Sequence, residues 1–279
     1  MRFKNILVYL DQGESNEERV GSALAIAKAH DATLTGVVVD ALPSSGILQK
    51  LGVSGNDAVV EKARADAQST IDEFRKRAET AGIATETSII ECDEGKASEK
   101  LSRLARVHDL SILRQANPDR DHAAFVAVLS EQVMFSSGRP VIFMPYVGAK
   151  RVPFSNGLIA WDGSRAATRA VHDSLPLLET MEEALILVVD PENIEHYQKT
   201  KPGEKLSRHL TAHGISNTVK RVPRGDISTS SVIMNELANT GADLLIMGAY
   251  GTPKLREVIL GGVTRTVLES MIVPVFMSH

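Results

Sequence analysis

The sequence predicts an α/β protein built from two repeated doubly wound parallel-sheet domains, each five-stranded with helices on both faces. Three observations carry that prediction. The chain reads twice in one order, its short apolar runs show no polar alternation, and helical periods lie between them. Strands covered on both faces are apolar throughout, and strand-helix alternation places such strands in a parallel sheet between helix layers.

The repeat opens with NILVYLD (5–11), which resembles NGLIAWD (156–162); both runs end in Asp and precede a helix. LTGVVVDAL (34–42) pairs with LILVVDPEN (185–193), and AGIATETSIIE (81–91) with HGISNTVKRVP (213–223). VHDLSILRQA (107–116) pairs with GADLLIMGAY (241–250), and SGRPVIFMP (137–145) with MIVPVFMSH (271–279). Asp162 stands 151 positions after Asp11, but Gly214 only 132 after Gly82, so the second half lacks nineteen residues between its second and third strands. Searching for such self-similarity comes first because a missed repeat misassigns the whole fold. The domains are expected at 1–147 and 153–279, joined near the polar Gly148–Pro153 stretch.

The helices follow from 3.6-residue spacing. Val20, Ala23, Leu24 and Ala27 mark the first, with Ser15 and Glu18 spaced as a capping box. Ala63, Ala67, Ile71, Phe74 and Ala78 mark a longer one that Gly82 ends in a left-handed conformation. Leu101, Leu104 and Ala105 mark a third. In the second half Ser164 caps a helix through Ala167 and Val171. Ile233 and Leu237 lie on another, and Val263, Val267 and Met271 on the last. Phe135–Gly138 comes shortly before the last strand's Pro140 and leaves little room for a helix comparable to Thr264–Ser270. LPSSGILQKLGVSGND (42–57) reads as a long loop over the ligand edge.

Composition narrows the function classes. The chain has 279 residues, 43% hydrophobic and 24% charged, with a formal net charge of -4. Nothing in that balance draws it to nucleic acid or anionic lipid. The one cysteine, Cys92, rules out an intramolecular disulfide and a cysteine-based zinc site. No apolar stretch approaches the roughly 20 residues of a membrane helix, and the N-terminus reads as neither a signal nor a transit peptide. A cytoplasmic protein is expected. No G-x-x-x-x-G-K-[ST] loop, G-x-S-x-G elbow or G-x-G-x-x-G turn is present. His209 and His213, four apart, lack an evident third metal ligand and read as a solvated helix face. Trp161 reads as a core aromatic or a surface on which a base stacks.

One stretch stands out: IMGAYGTPKLREVILGGVTRTVL (246–268). Gly248 directly follows an apolar strand, and Gly251 lies three residues on. Without a Cβ these positions can take positive φ and let a ligand touch the backbone. Gly261 and Gly262 open the last helix, whose free N–H groups and dipole suit a phosphate. Thr264 adds a hydroxyl, and Lys254 and Arg256 lie on the intervening loop. Four glycines near turns can equally be helix caps and tight turns, and Asp162 can equally be an N-cap or turn acid.

With these residues in place the chain resembles the universal stress protein family in its tandem two-domain form. That family's signature is G-x-x-G-x9-G-[ST]. Gly248, Gly251 and Gly261 match it, while Gly262 stands where the family has Ser or Thr. IAWDGSRAATRAV fits the family's first strand-helix turn and VPVFM its last strand, so the resemblance covers almost the whole chain. It implies ATP or a related adenine nucleotide as ligand, with or without Mg2+. Asp162 would then hold the ribose or base region and Val189 would offer backbone to adenine. Gly248, Gly251, Gly261, Gly262, Val263 and Thr264 would line the phosphates. The resemblance also implies an intramolecular pseudo-dimer in which VIFMP and PVFMS lie together.

Gly262 removes one hydroxyl hydrogen bond, so ATP binding is expected to be weakened rather than abolished. In the first half Arg114-Gln115-Ala116-Asn117-Pro118 stands where the second has Gly248–Gly251. Gln115 and Asn117 put side chains into the phosphate space and Pro118 removes an N–H. Asp11 remains without a phosphate partner, and no triphosphate is expected there. The function expected is stress-responsive nucleotide binding or sensing in the C-terminal domain, with no residue placed as a general base. The alternatives are an interaction scaffold or small-ligand protein, docking a protein partner or a second copy of the chain, and a slow ATP hydrolase.

Overall fold

The computed structural model describes residues 2–13, 15–42, 56–120, 122–147, 152–193, 201–249 and 262–279. The chain divides into two compact units, 2–139 and 140–279.

The first unit runs β1 (Asn5–Leu10), α1 (Asn16–His30), β2 (Thr33–Leu42), α2 (Asn56–Ala81), β3 (Thr85–Asp93), α3 (Glu94–Ala105), β4 (Leu110–Arg114) and α4 (Ala123–Ser136). Its strands lie in the order β3-β2-β1-β4. All are parallel, with Val8 opposite both Gly36 and Ile112. Strand order therefore reverses between β1 and β4, where an open α/β sheet forms its ligand crevice. Ile6, Leu7, Val8, Leu110 and Ile112 are fully buried, which explains their unbroken apolar pattern. Gly36 admits the Phe74 ring, since a Cβ there would stand 2.6 Å from it. Gly82 ends α2 at φ +68, as its spacing predicts.

Two local expectations change. Ser15 makes no side-chain cap hydrogen bond on α1, so the capping box is absent. α4 fills the stretch in which little room for a helix was expected, and it ends at Ser136. The helix draws most of its length from Ala123–Met134, upstream of that stretch, and only its last two residues, Phe135 and Ser136, fall within it. The stretch 43–55, expected as a loop over the edge, lies outside the described residues.

The second unit runs β5 (Val141–Met144), β6 (Asn156–Ala160), α5 (Arg165–Leu178), β7 (Glu183–Val189), a 3-10 turn (Pro191–Asn193), α6 (Glu204–Ala212), β8 (Asn217–Val222), α7 (Thr229–Thr240), β9 (Leu244–Gly248), α8 (Gly262–Ser270) and β10 (Val275–Ser278). Its strands lie in the order β5-β10-β9-β6-β7-β8. All are parallel except β5, which runs antiparallel to β10 with Phe143 opposite Val275 and Ile142 opposite Phe276. The order again reverses, here between β6 and β9. Ser164 caps α5 by accepting from the Ala167 N–H at 3.1 Å, as expected. Ser228 caps α7 in the same way through the Ser231 N–H at 3.0 Å.

Candidate functional site

The carboxyl edge of β6, β7 and β9 collects part of the expected site. Ala160 lies opposite both Leu187 of β7 and Met247 of β9. Two residues on, Asp162 and Val189 leave the sheet at one level, and Gly248 ends β9 beside them. Asp162 is exposed, and its Oδ1 accepts from the Ser164 N–H at 2.9 Å. The carboxylate therefore serves the turn into α5, the turn-acid reading left open by the sequence, while facing solvent. Gly163 completes that turn at φ +75. Trp161 is half-buried rather than a core residue, and its backbone N–H donates to Leu187 O. Val189 is half-buried, and Asp190 beyond it takes φ +47 and holds the Arg224 N–H at 2.6 Å.

Gly248 has a packing reason to be glycine. A Cβ there would lie 2.3 Å from the Ala167 nitrogen and 2.5 Å from the Ala166 carbonyl carbon. The first turn of α5 thus rests directly on the end of β9, and it is this contact, not a positive φ, that excludes a side chain. Gly262 opens α8, is exposed, and has no atom of the described residues within 4 Å of where its Cβ would stand. Val263 is half-buried, while Thr264 is only 3% exposed, so its hydroxyl does not face solvent. Gly251, Gly261, Lys254 and Arg256 lie outside the described residues. Among the described residues, no three His, Cys, Asp or Glu side chains are grouped to hold a metal ion.

The equivalent edge of the first unit is built differently. By register, Arg114 at the end of β4 stands where Gly248 ends β9. Its Nη1 donates to Asp11 Oδ2 at 2.8 Å, and Arg19 Nη2 reaches the same oxygen at 3.1 Å. Arg19 is wholly buried, donating through Nε to Tyr9 O at 2.7 Å and through Nη2 to Asn16 Oδ1 at 2.8 Å. Burial by itself would raise the Asp11 carboxyl, but the two guanidinium groups and the Gly13 N–H hold it below the ordinary range. Burial and the Asp11 charge push the Tyr9 phenol up to about 12. A Cβ on Gly13 would stand 3.0 Å from Arg114 Nη1, so the guanidinium lies tightly against the β1–α1 turn.

The sequence pointed to Gln115 and Asn117 as the obstructing side chains. Gln115 instead turns inward and is 4% exposed, and Asn117 Oδ1 accepts from the Asp119 N–H in a local turn. Arg114 is the residue that fills the edge. Cys92, in β3, is half-buried, and burial raises its thiol above the usual range.

Residues 154–279 match the model of the universal stress protein family. The chain carries a universal stress protein domain. The fold agrees over nearly the full length: a universal stress protein from Archaeoglobus fulgidus DSM 4304 superposes with a TM-score of 0.78 at 20% identity, covering 98% of this chain and 95% of that one. A functionally unknown protein from Pseudomonas aeruginosa PAO1 follows at a TM-score of 0.57 and 15% identity, covering 99% of this chain and 92% of that one. A comparison with curated proteins finds no match. The universal stress protein domain coincides with the edge that bears Asp162, Val189, Gly248 and Gly262. The residues that form the Asp11–Arg19–Arg114 cluster lie outside it.

Proposed function

We propose that the chain binds ATP or a related adenine nucleotide, with or without Mg2+, in its C-terminal repeat only, as a cytoplasmic stress-responsive binding or sensing protein. What carries this reading is the asymmetry of the two carboxyl edges. In the second unit, an exposed carboxylate, a strand end and the open start of α8 follow the reversal of strand order. In the first, Arg114 and Arg19 already neutralise the matching carboxylate. A ribose competing for Asp11 would have to break two charge-assisted bonds, each stronger than a neutral hydrogen bond. We further propose that the repeats, 1–147 and 153–279, form an intramolecular pseudo-dimer through their final strands. The antiparallel β5–β10 pair supports this.

Mass spectrometry of the denatured purified protein tests the ligand. A co-purifying adenine nucleotide supports binding; titration calorimetry showing no ATP heat refutes it. A second reading, an interaction scaffold, is favoured by one observation: the contact of Gly248 with α5 accounts for that glycine without any ligand. A scaffold predicts no ATP heat in the wild type or in any variant of the edge. Phosphate release above that of a Thr264→Ala control would point instead to slow hydrolysis.

A further inference from the structure

Three histidines that the nucleotide edge does not use meet in the second unit. His209 of α6 lies between His172 of α5, with ring centroids 4.9 Å apart, and His213 just beyond its own helix, at 4.7 Å. The sequence shows only the His209–His213 pair and reads it as a solvated face. The fold adds His172 and leaves His209 half-buried, with its Nε2 out of contact with solvent and without a hydrogen-bond partner. His172 is oriented by its Nδ1, 2.8 Å from Thr168 O, an acceptor that requires the proton on that nitrogen. The outer two rings are exposed.

We propose that this stack makes the seating of α6 depend on pH, with the helix docked while His209 is neutral and loosened when it takes up a proton. A proton on His209 would sit on a ring that lacks an acceptor at Nε2 and is flanked by two further imidazoles. The groups acting on it are His172 from α5 and His213 from the end of α6; no carboxylate among the described residues offsets them. Burial first, and those two neighbours next, lower the pKa of His209. The sign follows. Docked α6 binds fewer protons than released α6, so the stabilisation is complete above the ordinary histidine value of about 6.5. It is lost as pH falls through the lower value of the docked ring. The rest of the seat is the buried Leu206 and Leu210, Gly203 packed where a Cβ would meet Val219 at 2.8 Å, and one ion pair that ties Glu204 at the start of the helix to Arg221 of β8 at 3.7 Å. The expected event is therefore local opening rather than global unfolding.

Hydrogen exchange of the whole chain at pH 7.5 and pH 5, corrected for intrinsic rates and recorded with chelator present, tests this. Protection of the 204–212 amides should fall severalfold more than that of the 229–240 amides, and His209→Gln should remove the excess. If His209→Gln does not fold, the exposed double variant His172→Gln/His213→Gln should reduce the excess instead. Equal loss in both helices, or an excess unchanged in the folded variant, overturns the proposal. Neither result depends on whether ATP binds.

Discussion

Asp11, Arg19 and Arg114 share one buried cluster in which each charge depends on the others. Removing the carboxylate leaves a wholly buried guanidinium unpaired, the costly way to break such a cluster. Asp11→Ala is therefore expected to destabilise the first unit by about 3–5 kcal/mol in denaturant melts. Because the folded Asp11 carboxyl lies below its unfolded value, its contribution is fully present above about pH 4 and fades as pH falls through the lower folded value. Acid titration of wild type against Asp11→Asn checks the sign: the stability gap should close on acidification. Gly248 makes a different demand. A methyl group cannot fit 2.3 Å from the Ala167 nitrogen, so Gly248→Ala should cost about 1–3 kcal/mol through backbone shift. That loss is a stability effect in melts without nucleotide, separate from any effect on binding.

α8 presents its first turn at Gly262 with no atom of the described residues near the missing Cβ, so substitutions there are expected to test binding with little effect on the fold. Gly262→Ser restores the hydroxyl that the family motif carries. A hydrogen bond to a charged group contributes about 1.5–3 kcal/mol, so ATP affinity should rise about tenfold or more in calorimetry. Gly262→Asp puts a carboxylate against the phosphates and should abolish binding. The same carboxylate near a helix N-terminus should add about 0.3–1 kcal/mol to the stability of the free protein. At this scale the sequence was informative wherever a period or a cap is local. The α2 spacing ending at Gly82 and the Ser164 cap both appear as expected. α4 was missed because AAFVAVLSEQVMFS is apolar on nearly every face and carries no 3.6-residue period. Arg114 was not foreseen because its partner Asp11 lies 103 residues away, and only the register of β1 against β4 brings the two together. His172 was missed for the same reason, since it joins His209 only when α5 and α6 fold onto one unit.

The two halves of the molecule share strand order and differ in what fills the reversal point. One edge is closed by the chain's own cations, and the other leaves Asp162 and the start of α8 exposed. The repeat and its unbroken apolar strands made the fold legible throughout. The site was legible only as a pattern of glycines, because the pattern does not distinguish a phosphate contact from close packing, and Gly248 has the latter. Occupancy of the second edge therefore decides between ligand site and close packing. Titration of the whole chain with ATP, in wild type, Arg114→Ala and Gly262→Asp, measures it most directly. One nucleotide per chain is predicted for the wild type and for Arg114→Ala, with none bound by a folded Gly262→Asp. No binding by the wild type, two nucleotides per chain, or undiminished binding by Gly262→Asp would contradict it.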